Sequence, residues 1–258
     1  MAPTAHDAPH PPTIDAMDPV GAADRSPVTA PSDPTQIDPA TIGSWATGLK
    51  MATAPLRNRW LDLEIVGRVN VPTDGPAIIA ANHLSFIDSP LLMTALGRSV
   101  TFLGKAEYLD HPVTRTIFPR VGMIPVDRRG RGVTWSLNIA QQRLEAGELI
   151  GIFPEGSRSR DGRLHRGHLG AAHLAMRTGA PIIPVGIIGT DTAMPVGRRL
   201  PRRHARVIVQ IGSPIGLGEY RSQPRTAAAK HALTDALMAE IGALIGQPVV
   251  DEHLPIPS

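Results

Sequence analysis

The chain has 258 residues, 42% apolar and 19% charged, enough to bury one substantial core. With no cysteine it excludes a disulfide framework, a thiolate metal site and a cysteine nucleophile, leaving oxygen and nitrogen groups for any chemistry. The net charge of +3 is uneven: residues 1–40 hold six aspartates against Arg25, a charge of −5 that leaves +8 on the rest. Lys50, Lys105 and Lys230 are the only lysines, so the basic body is built from arginine, whose planar fork suits phosphate. That points to anionic partners, whether phosphorylated metabolites, phospholipid headgroups or nucleic acid.

In chain order, residues 1–40 are rich in Pro, Ala, Asp, Thr and Ser and read as a disordered tail. Residues 41–60 place Ile42, Trp45, Leu49 and Leu56 beside Lys50, Arg57 and Arg59, the make-up of an amphipathic helix. Such a helix could lie in a membrane interface or pack on its own domain. No apolar run reaches the roughly 18–20 residues that span a bilayer, and the N-terminus lacks the pattern of a signal peptide. The expectation is a protein on the cytoplasmic face of a membrane, held peripherally.

From residue 61 the pattern alternates, predicting an α/β domain over 61–247 and a C-terminal tail over 248–258. Short strands are expected at Leu61–Gly67, Ala77–Ala81, Val100–Leu103 and Met123–Val126, then at Glu148–Phe153, Pro181–Ile188 and Arg206–Ile211. Helices are expected after Asp88 with Ser89 as cap and Pro90 in the first turn, over 107–120, and over 132–146 with Trp135, Ile139 and Leu144 inwards. Two more are expected over 168–178 and 225–246, the last burying Leu233, Leu237, Ile241 and Leu244. Strands alternating with helices imply a largely parallel sheet flanked by helices, with ligands at the carboxyl ends of strands.

Asn82-His83 falls at the end of one such strand, five residues before Asp88. The same His and Asp spacing occurs in the tail at His10 and Asp15, so spacing alone carries little. Five residues along an ideal helix would separate the two side chains, but a loop would let them meet, and Ser89 as cap would leave the Asp88 carboxylate free. A carboxylate on one ring nitrogen leaves the other to take a proton from a hydroxyl. Phe153-Pro154-Glu155-Gly156-Ser157-Arg158-Ser159 follows a second buried strand as a tight loop offering backbone N–H groups and a guanidinium. Gly122 through Arg128 puts another arginine at a strand end.

These stretches, with Ile183-Pro184-Val185-Gly186-Ile187, resemble the four ordered blocks of the glycerolipid acyltransferases, specifically the 1-acylglycerol-3-phosphate acyltransferases, over roughly residues 60–215. The resemblance implies that His83 deprotonates an acceptor hydroxyl, that Asp88 orients it, and that acyl transfer is direct, without an acyl-enzyme. It implies substrate-binding roles for Lys105, Arg128, Glu155, Gly156, Ser157 and Arg158, and an acyl-donor pocket at the fourth block. The partners implied are a lysophospholipid acceptor, an acyl thioester donor (acyl-CoA or acyl carrier protein) and an anionic membrane surface, with no cofactor and no metal. Ser157 where threonine is commoner and Pro125 in the second block are the departures. The same chemistry on glycerol 3-phosphate, another lysophospholipid or an amino-acid-derived lipid is the nearest alternative. A non-catalytic protein binding anionic membrane or nucleic acid would explain the charge but not the His83 and Asp88 pattern. Nucleic acid is disfavoured, because no aromatic residues interleave the arginines.

Overall fold

The computed structural model describes residues 61–105, 123–126, 132–198, 200–221 and 226–255, apart from the side chains of residues 105, 219 and 221. The expected tail over 1–40, the amphipathic segment over 41–60 and the helix over 107–120 lie outside the described residues.

The strands are β1 (Leu61–Val66), β2 (Ala77–Ala81), β3 (Val100–Lys105), β4 (Ile124–Val126), β5 (Leu149–Ile152), β6 (Leu164–His165), β7 (Ile182–Ile188), β8 (Ala205–Ile211) and β9 (Val249–Val250). The helices are α1 (Asp88–Ala95), α2 (Gly132–Glu145), α3 (Gly170–Thr178), α4 (Thr190–Ala193), α5 (Gly218–Arg221) and α6 (Ala227–Ile245). Seven strands form one sheet in the order β1-β8-β7-β2-β5-β3-β4. From β7 to β4 every neighbour is parallel, as expected. β8 runs antiparallel to β7 and β1 follows β8 in parallel, a reversal that strand spacing does not signal.

β2 sits near the middle, and its residues alternate between the two faces. Ala77, Ile79 and Ala81 join Leu91, Leu92 and Leu96 of the α1 region on one side. Ile78 and Ala80 face Ile139, Leu144, Leu174, Leu237 and Ile241 of α2, α3 and α6 on the other. A strand buried on both faces has no polar side to mark its period, which is why it reads as a continuous apolar run. α3 turns Ala171, Ala172, Leu174 and Ala175 inwards, and the three alanines let it lie close between α2 and α6.

Three expectations are corrected. Trp135 is 38% exposed rather than turned inwards. The inward stripe of α2 runs through Ser136, Ile139, Ala140, Arg143 and Leu144, and at about 100° per residue Trp135 falls on its flank. Ser136 takes the inward place because its hydroxyl donates to Pro125 O (2.6 Å) and Gly132 O (2.7 Å), seating α2 against β4. Residues 249–250, inside the expected tail, pair as β9 with β6. Helix α1 begins at Asp88 with Ile87 at the N-cap and no side-chain cap, so Ser89 is not the capping residue.

Candidate active site

β2, β3, β4, β5 and β7 all end at the same edge of the sheet, and the expected site residues gather there. β2 delivers Asn82 and His83, and Asn82 is fixed first. It is buried, and its amide donates to Ile187 O (2.9 Å) while its carbonyl accepts Ile187 N–H (2.7 Å). The side chain thereby continues the β2–β7 ladder one step beyond the last paired residue. Nothing in the sequence reading assigned Asn82 a role, although an amide side chain closing a buried apolar run is the available signal.

His83 and Asp88 meet. Asp88 N–H donates to Ser85 O (3.2 Å), a turn that doubles the chain back and overcomes the five-residue spacing. His83 Nδ1 and Asp88 Oδ2 are then 2.8 Å apart. The same oxygen accepts Leu84 N–H (2.7 Å) and Ser85 N–H (2.8 Å), so the carboxylate is not free, as a Ser89 cap would have left it. The Asp88 side chain is fully buried, and its Oδ1 has no hydrogen-bond partner among the described residues. An oxygen already accepting two backbone N–H groups acts only as an acceptor, so Nδ1 is the donor and Nε2 keeps the lone pair. A histidine in that tautomer can take a proton through Nε2.

The second loop holds the backbone and ring of His83. Its N–H donates to Glu155 Oε2 (2.9 Å) and its carbonyl accepts Ser159 N–H (2.7 Å). Its ring stacks on Phe153, with centroids 3.9 Å apart and planes 12° from parallel. Phe153 in turn stacks on Phe102 at 5.5 Å. Gly151 makes room for that ring, because a Cβ there would come within 2.3 Å of Phe102.

Glu155, expected to touch substrate, is buried among protein groups. Oε1 accepts His165 N–H (3.0 Å) as Oε2 accepts that of His83. Burial pushes its carboxyl up to about 7, against the pull of the two backbone donors. Gly156 turns the loop at φ 76°, a conformation that suits a residue without Cβ, and its N–H donates to Phe153 O (2.9 Å). Ser157 and Arg158 follow, both half-buried. Lys105 ends β3 at this edge, with its side chain outside the described residues, as is the whole of Arg128. The fourth block lies in β7, buried beside β2.

A second His–Asp pair escaped the sequence reading. His165 Nε2 lies 3.0 Å from Asp161 Oδ1, which also accepts Ser159 Oγ (2.8 Å) and Arg163 N–H (3.1 Å). Burial works against the Asp161 charge, but the His165 bond and then those of Ser159 and Arg163 outweigh it, holding the carboxyl well below its ordinary range. Among the described residues no group of three His, Cys, Asp or Glu is placed to hold a metal ion. No described helix is long and apolar enough to cross a membrane.

The sheet with its histidine-bearing edge is that of a known class. A family model described as Acyltransferase matches residues 62–188, from β1 to the end of β7. Over these residues the chain is similar to that family. It is 34% identical over 155 residues to a chloroplastic 1-acyl-sn-glycerol-3-phosphate acyltransferase of Arabidopsis thaliana, covering 59% of this chain and 43% of that protein. It is 27% identical over 180 residues to the 1-acyl-sn-glycerol-3-phosphate acyltransferase of Bacillus subtilis, covering 68% of this chain and 86% of that one. The matched part thus spans less than half of the plant relative. The fold is shared with the crystal structure of the 1-acyl-sn-glycerophosphate acyltransferase PlsC from Thermotoga maritima, with a TM-score of 0.61, 24% identity and coverage of 79% of this chain and 78% of that one.

Proposed function

We propose that this chain transfers a fatty acyl group from an acyl thioester, acyl-CoA or acyl carrier protein, to the free hydroxyl of 1-acylglycerol 3-phosphate, forming phosphatidic acid. The observation that carries the reading is the fixation of His83. One ring nitrogen is committed to Asp88, the peptide is held at both ends by the second loop, and the ring is stacked on Phe153.

In this reading His83 Nε2 takes the proton of the acceptor hydroxyl as its oxygen attacks the thioester carbonyl. Asp88 stabilises the imidazolium. The C–S bond then breaks, and the imidazolium returns its proton to the departing thiolate, so no acyl-enzyme forms. Arg158, with Lys105 and Arg128, binds the phosphate of the acceptor. Gly156 and Ser157 shape the same loop, and Glu155 acts by holding it against His83. The enzyme works from the cytoplasmic face of a membrane, held peripherally, with residues 41–60 as one attachment.

The test is an acceptor panel of lysophosphatidic acid, other lysophospholipids and glycerol 3-phosphate, each with both donors. Phosphatidic acid from lysophosphatidic acid is expected to dominate, and a clear preference for another acceptor overturns the acceptor assignment. His83→Ala is expected to lower turnover by about 10² to 10⁴ with an unchanged circular dichroism spectrum. Near-normal turnover in that variant removes the base.

A further inference from the structure

The residues after α6 fold back onto the domain. The helix is closed before they begin, because Gly246 takes φ 68° as its cap and both Gly246 and Gln247 donate their N–H groups to Gly242 O. Residues 249–253 then run beside the segment 164–168, which follows the second loop. β9 pairs with β6, Leu164 against Val249 and His165 against Val250. Arg166 N–H donates to Glu252 O (3.0 Å), and its guanidinium meets Asp251 Oδ1 (3.1 Å). The ring of His168 stacks on that of His253, with centroids 5.0 Å apart and planes 14° from parallel. Val249 and Val250 are half-buried, and Asp251, Glu252 and His253 are exposed.

The other side of the same segment is bonded to the second loop. Successive N–H groups of an extended strand point to opposite sides, so Arg166 N–H reaches the C-terminal strap while His165 N–H reaches Glu155 Oε1 (3.0 Å). Further on, His168 N–H donates to Pro154 O (2.8 Å). Glu155 carries the connection to His83 through Oε2, and Ser159 N–H, at the far end of the loop, donates to His83 O. Residues 164–168 are thus a splint, with the histidine-bearing loop on one side and the strap on the other. β6 has no strand partner except β9 among the described residues, and so short a strand has little stability of its own.

From these contacts we infer that residues 249–253 are a positioning element of the active site: they hold β6 in place, so that Pro154 and Glu155 keep the second loop in the conformation that binds the acceptor. The part that concerns the acceptor rests on the reading of the chain as an acyltransferase. Burial is too small for the strap to serve chiefly as a source of global stability. It contributes no fully buried side chain, and the Arg166–Asp251 pair, 40% and 92% exposed, adds little. Its backbone bonds and ring stack act instead on the one segment that is bonded directly to the loop, while α6 is already capped without it.

The experiment compares the parent with a chain ending at Pro248 and with the full-length double variant Asp251→Ala, His253→Ala. Backbone hydrogen–deuterium exchange over residues 153–168 is read without substrate, and steady-state kinetics are read with lysophosphatidic acid varied. Ending the chain at Pro248 should speed exchange over 153–168 by about tenfold or more and leave that of α1 and α6 unchanged. It should raise KM for the acceptor about fivefold and keep kcat within about twofold. The double variant should move both readouts the same way and less, and His253→Phe, which keeps a flat ring, should stay near the parent. Glu64→Ala removes the comparably exposed Arg206–Glu64 pair and should match the parent throughout. If the shortened chain exchanges faster everywhere, the double variant decides, and an unchanged loop in it overturns the inference. Unchanged exchange over 153–168 in the shortened chain overturns it as well, as does an unchanged KM where the parent turns over. A parent inactive on lysophosphatidic acid removes the acceptor reading alone, since faster exchange in the loop would still uphold the strap.

Discussion

The two His–Asp pairs of this chain use the same residue types at nearly the same distance, 2.8 Å for His83–Asp88 and 3.0 Å for His165–Asp161, and are built in opposite ways. In the first the acid is sealed, with Asp88 fully buried, and it engages Nδ1. In the second the acid is open, with the Asp161 side chain 46% exposed, and it engages Nε2. The nitrogen left over differs accordingly. His165 Nδ1 is buried without a partner among the described residues, whereas the His83 ring lies at the carboxyl edge of the sheet. A His–Asp contact is therefore no signature of a base. What distinguishes the two is which nitrogen remains and where it points. Glu155 links them, one oxygen on each histidine's backbone N–H, so the second pair secures the loop that secures the first.

The largest effect should come from exchanging the two aspartates in turn. In Asp88→Asn the amide oxygen can still meet the three donors that Oδ2 meets now, so His83 keeps its place but loses the negative charge that, in the proposed mechanism, would stabilise its imidazolium. Turnover should fall on the order of 10²-fold or more. In Asp161→Asn the affected groups are Ser159 Oγ, Arg163 N–H and His165, all in or beside the loop that carries Arg158. KM for the acceptor should rise severalfold while kcat stays within a few-fold. Steady-state kinetics on both variants read the split, and equal losses of kcat would erase the distinction.

Glu155 tests the link, and stability is the measurement. Its carboxyl rises from 4.5 to about 7 on folding, so between those values the folded chain holds a proton that the unfolded chain has released. Stability from this group is complete below about pH 4.5 and declines as pH rises towards 7, by on the order of 3 kcal/mol over the shift. Asp161 has the opposite sign: its depressed carboxyl contributes above the unfolded value of 3.8, and that contribution is lost only in acid. Glu155→Gln should flatten the decline in urea midpoint from pH 5 to 7. It should also cost about 1–3 kcal/mol, since its amide nitrogen would face one of the two backbone N–H donors. A parent midpoint that does not fall over this range would contradict the assignment.

The comparison also marks what the residue string could tell. The parallel strands were legible because β2, β5 and β7 are apolar runs of strand length with turn residues behind them. The reversal at β8 was not, since an antiparallel partner leaves no period of its own in a single strand. His83 and Asp88 were legible from their place behind β2, while the capping role given to Ser89 failed because a turn at Ser85 starts α1 two residues earlier. Glu155 was singled out, but its bonds to His83 N–H and His165 N–H were not foreseen. Nothing in the local string marks those partners, since His83 and His165 lie 72 and 10 residues away. Asn82 and the ring stack depend in the same way on contacts across strands. Local pattern therefore brought these residues to one edge of the sheet, and long-range hydrogen bonds decided which of them are buried among protein groups.

Phe153 offers the finest test, because it supports only one of the two pairs. Its ring lies on His83 and on Phe102, and the room for Phe102 comes from Gly151. Stacked pairs contribute about 0.5–1.5 kcal/mol beyond their burial, which bounds how far one ring can bias the His83 rotamer. Phe153→Leu keeps most of the volume and removes the flat surface. It should lower kcat by about two- to tenfold, leave KM for the acceptor near the parent value and change the unfolding midpoint little. Phe153→Tyr retains the ring and should restore most of the rate. If Leu and Tyr behave alike, hydrophobic filling suffices and the ring has no orienting part. If Phe153→Leu instead raises KM as Asp161→Asn is expected to do, the stack belongs to the acceptor loop rather than to the base, and the two pairs are less separate than their hydrogen bonds imply.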